Sequence, residues 1–474
     1  MSVDAHASAA EVACRVRSGE WSAVEVAQTA LDAAEASEPV IAAFAALTPE
    51  RALAQAAAVD AARARGEELG PLAGVPCPIK DLAEVDGLPY QAGSRALAGN
   101  VGQRTDPVAA RLIAAGALTL GKTATPEFGF PCYTEPAGRP PTVTPWDRHR
   151  GAGGSSGGAA AAVAAGVVPI AHASDGGGSI RIPASSCGIV GLKPSRGLVS
   201  ALPFRAPGPG LACDGVVSRT VADTALGLAV MAGGVPAGPD GAASGVRAGL
   251  SAAVGRDPGR LRIGVTTVPV ISDTAIVHPA CVAAVEQVAG WLAELGHEIV
   301  DAPRAFPAQR WAAFDAVWTT GAASLPLPEQ AEAALTPMTA WLRARGRAVS
   351  GADYARAIAA IQLLEHEVAW NWAGLDVVLT PTLARPPARV GELRDDADPA
   401  ADFAAQIDYT PWTSIANLTG RPSVSLPLVR ALIDGVELPL GVMLTGVLGH
   451  DEVLISLAAQ LEAAHPWPLV RPVG

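Results

Sequence analysis

The sequence predicts an α/β fold: one large, largely parallel or mixed central β-sheet covered on both faces by α-helices. Three observations predict it. Short apolar runs bounded by glycine and proline recur at "VVPIAHAS" (167–174), "GIVGLKP" (188–194), "RIGVTTV" (262–268), "DVVLTPT" (376–382), "SVSLPL" (423–428) and "GVMLTG" (441–446). Runs this short read as buried strands. Segments between some of them carry apolar residues at three- and four-residue spacing, as in "HPACVAAVEQVAGWLAELG" (278–296), the period of a helix with one buried face. Half of the 474 residues are hydrophobic and 17% are charged, which supplies apolar surface for a large core. Buried strands alternating with covering helices give α/β layering.

Taken in order, residues 8–65 read as helices, alanine-rich and apolar at helical spacing. "GPLAGVPCPIKD" (70–81) is a short strand punctuated by glycine and proline and ending at Lys80, and "ARLIAAGALTLGKT" (110–123) is helix, turn and strand. Residues 131–150 form a proline-rich polar loop, and 300–374 form a tryptophan-rich helical segment suited to a cap or pocket wall. "HDEVLISLAAQLEAAH" (450–465) is a last helix, with Asp451 placed as its N-cap. No linker or internal repeat interrupts the chain. Residues 1–474 therefore read as a single domain, with N-terminal helices in 1–66, a glycine-rich core in 67–230 and the helical pocket segment in 300–374.

Composition excludes several classes of function. The net charge is −12 and no Lys/Arg cluster is present, whereas nucleic-acid binding needs local positive charge to meet phosphates. The longest apolar stretch, 157–173, is mostly alanine and is broken by Gly166 and Pro169, too weak to span a bilayer. The first twenty residues lack a basic segment followed by an apolar run, so no signal peptide is expected. Six cysteines lie far apart without a Cys-x-x-Cys pair, as free thiols of a reducing cytoplasm do. The eight histidines show no metal-ligand spacing, and no metal is expected.

Three motifs compete for the chemistry. "GALTLGKT" (116–123) fits the P-loop pattern. A P-loop must curl around phosphates and run straight into a helix, whereas Ala117–Leu120 read as strand and Pro126 follows. "GGSSG" (153–157) fits the nucleophile elbow of α/β-hydrolases, with His297 or His450 available to complete a triad, but a proline-containing loop precedes it where an elbow needs a strand. Ser155 and Ser156 could equally do no more than cap the alanine helix behind them. The third motif is "SDGGGSIRIPASSCGIVGLKPS" (174–195), where Ser179 follows Gly176, Gly177 and Gly178. Consecutive glycines can turn their N–H groups toward one point, which makes an oxyanion hole beside a serine hydroxyl. The base would be Lys80, alone at the end of an apolar strand. Desolvation favours its neutral form, and half-neutrality near pH 7.5 requires a shift worth about 4 kcal/mol. Glycines before a serine are more often only a turn, and a lysine after a strand is more often a surface residue; these residues alone do not single out Lys80.

The segments "GPLAGVPCPIKD", "GKTATPEFG", "GGSSGGAAAAVAAG", "DGGGSIRIPASSCGIVGLKPS", "SRTVADTA", "NLTGRPSVSLPL" and "LPLGVMLTG" together resemble the amidase signature family. They occur in the family's order over roughly residues 10–467. The resemblance implies the amidase signature fold and hydrolysis of a linear or cyclic carboxylic amide through an acyl-enzyme, without metal or organic cofactor. Carried over by position, Ser179 is the nucleophile, Ser155 the bridging serine after a cis peptide, and Lys80 the base; the 24-residue spacing of the two serines matches the family. Gly176, Gly177, Gly178 and Ser179 then supply the oxyanion hole, Gly129 and Ser156 line the site, and Asp175 and Arg181 support the loop. The partner expected is a small-molecule amide, with a homodimer admissible and neither nucleic acid nor membrane involved. The chain departs from many relatives at Ala124, Thr144 and Gly176, and in "VVSRTVADTA". Its "SDGGGSIRIPAS" and "VVSR" wording is similar to the branch containing 6-aminohexanoate cyclic dimer hydrolases. Three alternatives stay open: the glutaminase-type subunit of an amidotransferase, an α/β-hydrolase-type esterase using Ser155, and a scaffold that has lost activity.

Trp311, Phe314 and Trp318 fall on one helix face, a spacing that reads first as core packing. If they face the site, the pocket is apolar and prefers aryl or alkyl amides. Trp370, Trp372 and Trp412 are further candidates for its wall. Cys132 could border the pocket, although a buried, unreactive thiol is the simpler expectation.

Overall fold

A computed structural model describes residues 3–206, 208–232, 246–471 and 473 of the chain. In chain order its strands are β1 Phe44–Leu47, β2 Ile79–Lys80, β3 Gly121–Thr123, β4 Val143–Thr144, β5 Asp147–Gly151, β6 Ile170–Asp175, β7 Val190–Lys193, β8 Cys213–Ser218, β9 Arg262–Val265, β10 Glu298–Asp301, β11 Val377–Pro381, β12 Ser423–Ile433 and β13 Val436–Gly446. Eight of them form the central sheet in the order β10-β9-β11-β13-β12-β7-β8-β6. Only β10/β9 and β9/β11 pair in parallel. The pairs from β11 through β13, β12, β7 and β8 to β6 are antiparallel. The sheet is therefore mixed and mostly antiparallel. Apolar runs report that a strand is buried but carry no sign of its direction, so the largely parallel option was not decidable from them.

The six strands expected from apolar runs all form, and the helix expected at 278–296 spans Pro279–Glu294. Several elements differ from expectation. Phe44–Leu47, inside the expected helical stretch, is a strand. Strands β8 and β10 arise where no run marks them, and the expected loop 131–150 holds β4 and all of β5 except Gly151, paired as a hairpin. Asp451 is not the N-cap: His450 holds that position, while the buried Asp451 carboxylate accepts the Ser195 N–H at 2.8 Å. The segment 300–374 is helical as expected, in Ala312–Ala323, Pro337–Ala348 and Gly351–Asn371.

Three features position the site. A small sheet of order β1-β3-β2 abuts the edge of the central sheet, where the His172 N–H of β6 donates to the Pro78 carbonyl at 3.0 Å. The helix Gly157–Ala164 is wholly buried, and all its residues but one are glycine or alanine. A Cβ at Gly158 would lie 2.3 Å from the Ala43 carbonyl oxygen and 2.4 Å from the Ala124 nitrogen. Glycine there lets the helix lie directly on the small sheet. The end of β2, the start of this helix and the end of β6 consequently meet at one place.

Candidate active site

Lys80, Ser155, Ser156 and Ser179 come together at that junction. Lys80 is the last residue of β2 and has no exposed surface. Its Nζ lies 2.8 Å from both Ser155 Oγ and Ser156 Oγ and 3.2 Å from the Ser174 carbonyl oxygen. Burial pushes its ammonium down from 10.5 to about 7, against the opposing pull of the Asp175 and Asp214 carboxylates. The Gly154–Ser155 peptide is cis. Ser156 donates its hydroxyl to the Ser174 carbonyl at 3.2 Å, and its N–H donates to the Ser179 carbonyl at 3.2 Å. Ser156 thus ties the two serine loops together. It occupies the N-cap position of the helix without a capping bond from its side chain. Gly129, at φ 73°, packs against the pair: a Cβ there would stand 3.1 Å from Ser155 Oγ.

The loop carrying Ser179 is held by a buried ion pair. Asp175 accepts the N–H groups of Gly178 (2.7 Å) and Ile180 (3.1 Å) and two Arg181 nitrogens at 3.0 Å. Arg181 also donates to the Thr413 carbonyl and to Asn417 Oδ1. Burial would raise the Asp175 carboxyl, but Arg181 overcomes it and holds the group at about 2. This corrects one expected donor. The Gly178 N–H points back into the loop toward Asp175, and its φ of 135° makes that turn possible. Among the described residues no acceptor takes the N–H groups of Gly176, Gly177 and Ser179, which remain able to hold an oxyanion.

Ser179 and Gly177 line a cleft of about 480 Å³ that opens to solvent. Its wall is aromatic. Trp311 stacks on Phe314 at 4.9 Å, Phe314 on Trp318 at 5.2 Å, and Phe130 meets Trp318 edge-on at 5.5 Å. The 311/314/318 stripe is therefore a pocket wall as well as packing. Cys132 also borders the cleft. Among the described residues, no Asp, Glu, Lys or Arg lines it. Trp412 and Trp372 are instead buried among other residues, their indole N–H groups donating to the Val268 and Pro303 carbonyls, and Trp370 is 77% exposed at the surface. The sequence reading missed Phe130 and Phe403. Phe130 adjoins the glycine motif and was within reach of it, whereas nothing local marks Phe403.

The competing motifs do not survive the geometry. Gly121–Thr123 is strand, and buried Lys122 is paired with Asp81 at 2.8 Å, so no lysine is offered to a phosphate. No strand runs directly into Ser155, since the hairpin strand β5 ends at Gly151 and a turn follows. His297 is occupied by the Leu261 N–H and Gln460. Among the described residues, no cluster of His, Cys, Asp and Glu could hold a metal ion, and no helix is long and apolar enough to cross a membrane.

Fold and site define an α/β enzyme in which a buried lysine holds two serines beside a third, Ser179, that faces an apolar cleft. Residues 25–455 match the family model described as Amidase, and the chain belongs to that family. It is 34% identical over 485 residues to the 6-aminohexanoate-cyclic-dimer hydrolase of Paenarthrobacter ureafaciens, covering 96% of this chain and 94% of that protein. A solved structure of 6-aminohexanoate cyclic dimer hydrolase superposes with a TM-score of 0.88 at 31% identity, covering 98% of each chain. A bacterial aryl acylamidase of the amidase signature enzymes superposes with a TM-score of 0.85 at 30% identity, covering 99% of each. The protein is accordingly an amidohydrolase that acts on carbon–nitrogen bonds other than peptide bonds.

Proposed function

We propose that the chain hydrolyses uncharged, apolar carboxylic amides through an acyl-enzyme on Ser179, with Ser155 as proton relay and Lys80 as base. The observation that carries this reading is the 2.8 Å contact of Lys80 Nζ with Ser155 Oγ, made by a buried amine brought down to about 7. A neutral amine accepts the Ser155 proton as Ser155 accepts that of Ser179. Ser179 then attacks the amide carbonyl, and the N–H groups of Gly176, Gly177 and Ser179 hold the oxyanion. Ser155, reprotonated from Lys80, protonates the leaving amine, and water cleaves the acyl-enzyme along the same relay. The free cysteines support a cytoplasmic setting.

The base assignment fixes a pH profile. Lys80 works as the free amine, so kcat/KM should rise with pH through about 7 and fall off below it as the ammonium forms. Rates measured from pH 5 to 9 check this; a flat profile through pH 7 overturns Lys80 as the base. Labelling with a fluorophosphonate followed by peptide mapping should mark Ser179, whereas label on Ser155 would support the elbow reading instead.

The cleft wall supports a choice of substrate class. A charged group entering it would lose hydration with no counter-charge to meet, so a zwitterionic linear amide should be a poorer substrate than a neutral cyclic or aryl amide of similar size. The similarity to a cyclic-dimer hydrolase and an aryl acylamidase supports this choice. Trp318→Ala removes one stacked wall and should raise KM for a neutral aryl amide about tenfold or more, with a smaller effect on acetamide. Equal loss on both substrates would show that Trp318 acts only in packing.

A further inference from the structure

Strand β6 places a histidine directly behind the base. His172 is 1% exposed, and its Nδ1 accepts the backbone N–H of Lys80 at 3.3 Å. An accepting Nδ1 leaves the ring proton on Nε2, which lies 3.3 Å from Asp214 Oδ1. The other Asp214 oxygen accepts from Arg205 at 2.8 Å, and Arg205 reaches Asp106 at 2.6 Å. Arg205 and Asp214 line a second cleft of about 790 Å³, separate from the one at Ser179. None of His172, Asp214 and Arg205 lines the cleft at Ser179.

We propose that His172, Asp214 and Arg205 are positioning residues for Lys80: His172 anchors the backbone from which the amine projects, and the Asp214–Arg205 pair sets the field in which the amine sits. The proposal rests on Lys80 being the base. The charged groups acting on Lys80 are Asp175 and Asp214, which favour its ammonium, and Arg205, which opposes it. Asp81, the next residue, is neutralised by Lys122. Cys77, buried nearby on the same segment, is kept neutral, its thiol pushed up to about 12. Asp175 is committed to Arg181 and the serine loop. That leaves the Asp214–Arg205 pair as the adjustable source of charge, with Arg205 38% exposed at the second cleft.

The test is the pH dependence of kcat/KM for D214N, R205Q, H172N and H172L in the full chain. Removing the Asp214 carboxylate makes the ammonium less favourable, so the acid limb of D214N moves down by about one pH unit. Removing the Arg205 charge does the reverse, so the limb of R205Q moves up. H172N presents an amide oxygen where Nδ1 stood and keeps most of kcat. H172L strands the Lys80 N–H and lowers kcat about tenfold or more with KM little changed. A residue that merely supported the fold would lower rates without moving the limbs in opposite directions. Limbs that stay in place, or that move the same way in both charge variants, overturn the proposal. If D214N does not fold, R205Q decides by the direction of its shift. Lys80→Met separates the two readings: hydrolysis that survives it overturns the base assignment and this proposal together. An inactive Lys80→Met with unmoved limbs elsewhere overturns the positioning role alone.

Discussion

Ser179→Ala is expected to lower kcat by about 10⁴-fold or more, while the variant keeps the wild-type fold and still binds neutral amides. The serine lies 7% exposed in the cleft wall, and its hydroxyl makes no hydrogen bond to another described residue. Loss of the Oγ therefore removes the attacking atom and little else. Steady-state hydrolysis of an aryl amide, with thermal denaturation as the control on folding, checks it. Ser155→Ala should cost nearly as much, since the relay from Ser179 to Lys80 then has no middle member and groups acting as one unit are not additive. Substantial hydrolysis by Ser179→Ala across a panel of amides would falsify the acyl-enzyme on this residue.

Arg181→Met is expected to produce the largest loss of stability of any single change near the site, about 3–5 kcal/mol. The guanidinium and the Asp175 carboxylate are both fully buried, and Arg181 donates to Asp175, Asn417 and the Thr413 carbonyl at once. Removing it leaves a buried carboxylate without its counter-charge, and Asp175 also holds the Gly178 and Ile180 N–H groups that shape the serine loop. Melting temperature and activity should fall together. The same pair makes an acid-sensitive contribution. The Asp175 carboxyl is held at about 2 in the folded chain, below its unfolded value of about 3.9. Its stabilisation is complete above the unfolded value and is lost as pH falls from there through the folded one. Arg181→Met should lack that component, so its stability should depend less steeply on pH between about 4 and 2. An equally steep dependence in the variant would place the acid sensitivity elsewhere.

The parts of the molecule legible in the sequence are those whose signal is local. "DVVLTPT" and "GVMLTG" became β11 and β13 because an unbroken apolar run between turn residues has few other places to go. "GGSSGGAAAAVAAG" and "DGGGSIRIPASS" mark their serines because a chain that must turn sharply or lie directly on a neighbouring strand needs glycine, as Gly158 does. β8 was missed since "CDGVVS" carries an aspartate and a glycine in a wholly buried strand; Asp214 is tolerated there because Arg205 and His172 satisfy it.

The layering of strands and helices, the order of the glycine and serine motifs and the scattering of charge can all be read along the chain. Each of these is written in neighbouring residues. Contacts between distant residues single out which of the buried lysines meets the serines. Lys80, Lys122 and Lys193 are all without exposed surface, yet Lys122 is paired with Asp81 and Lys193 donates to the Pro194 carbonyl, while Lys80 alone reaches Ser155, 75 positions away. The structure likewise decided that Phe130, Phe314 and Trp318 share one cleft with Ser179, and that the Gly178 N–H is spent on Asp175. The physical reason is common to all three. Desolvation, ion pairing and the shape of a cleft are sums over groups brought together by the fold from distant parts of the chain, and periodicity along the chain records which face is buried but not against what.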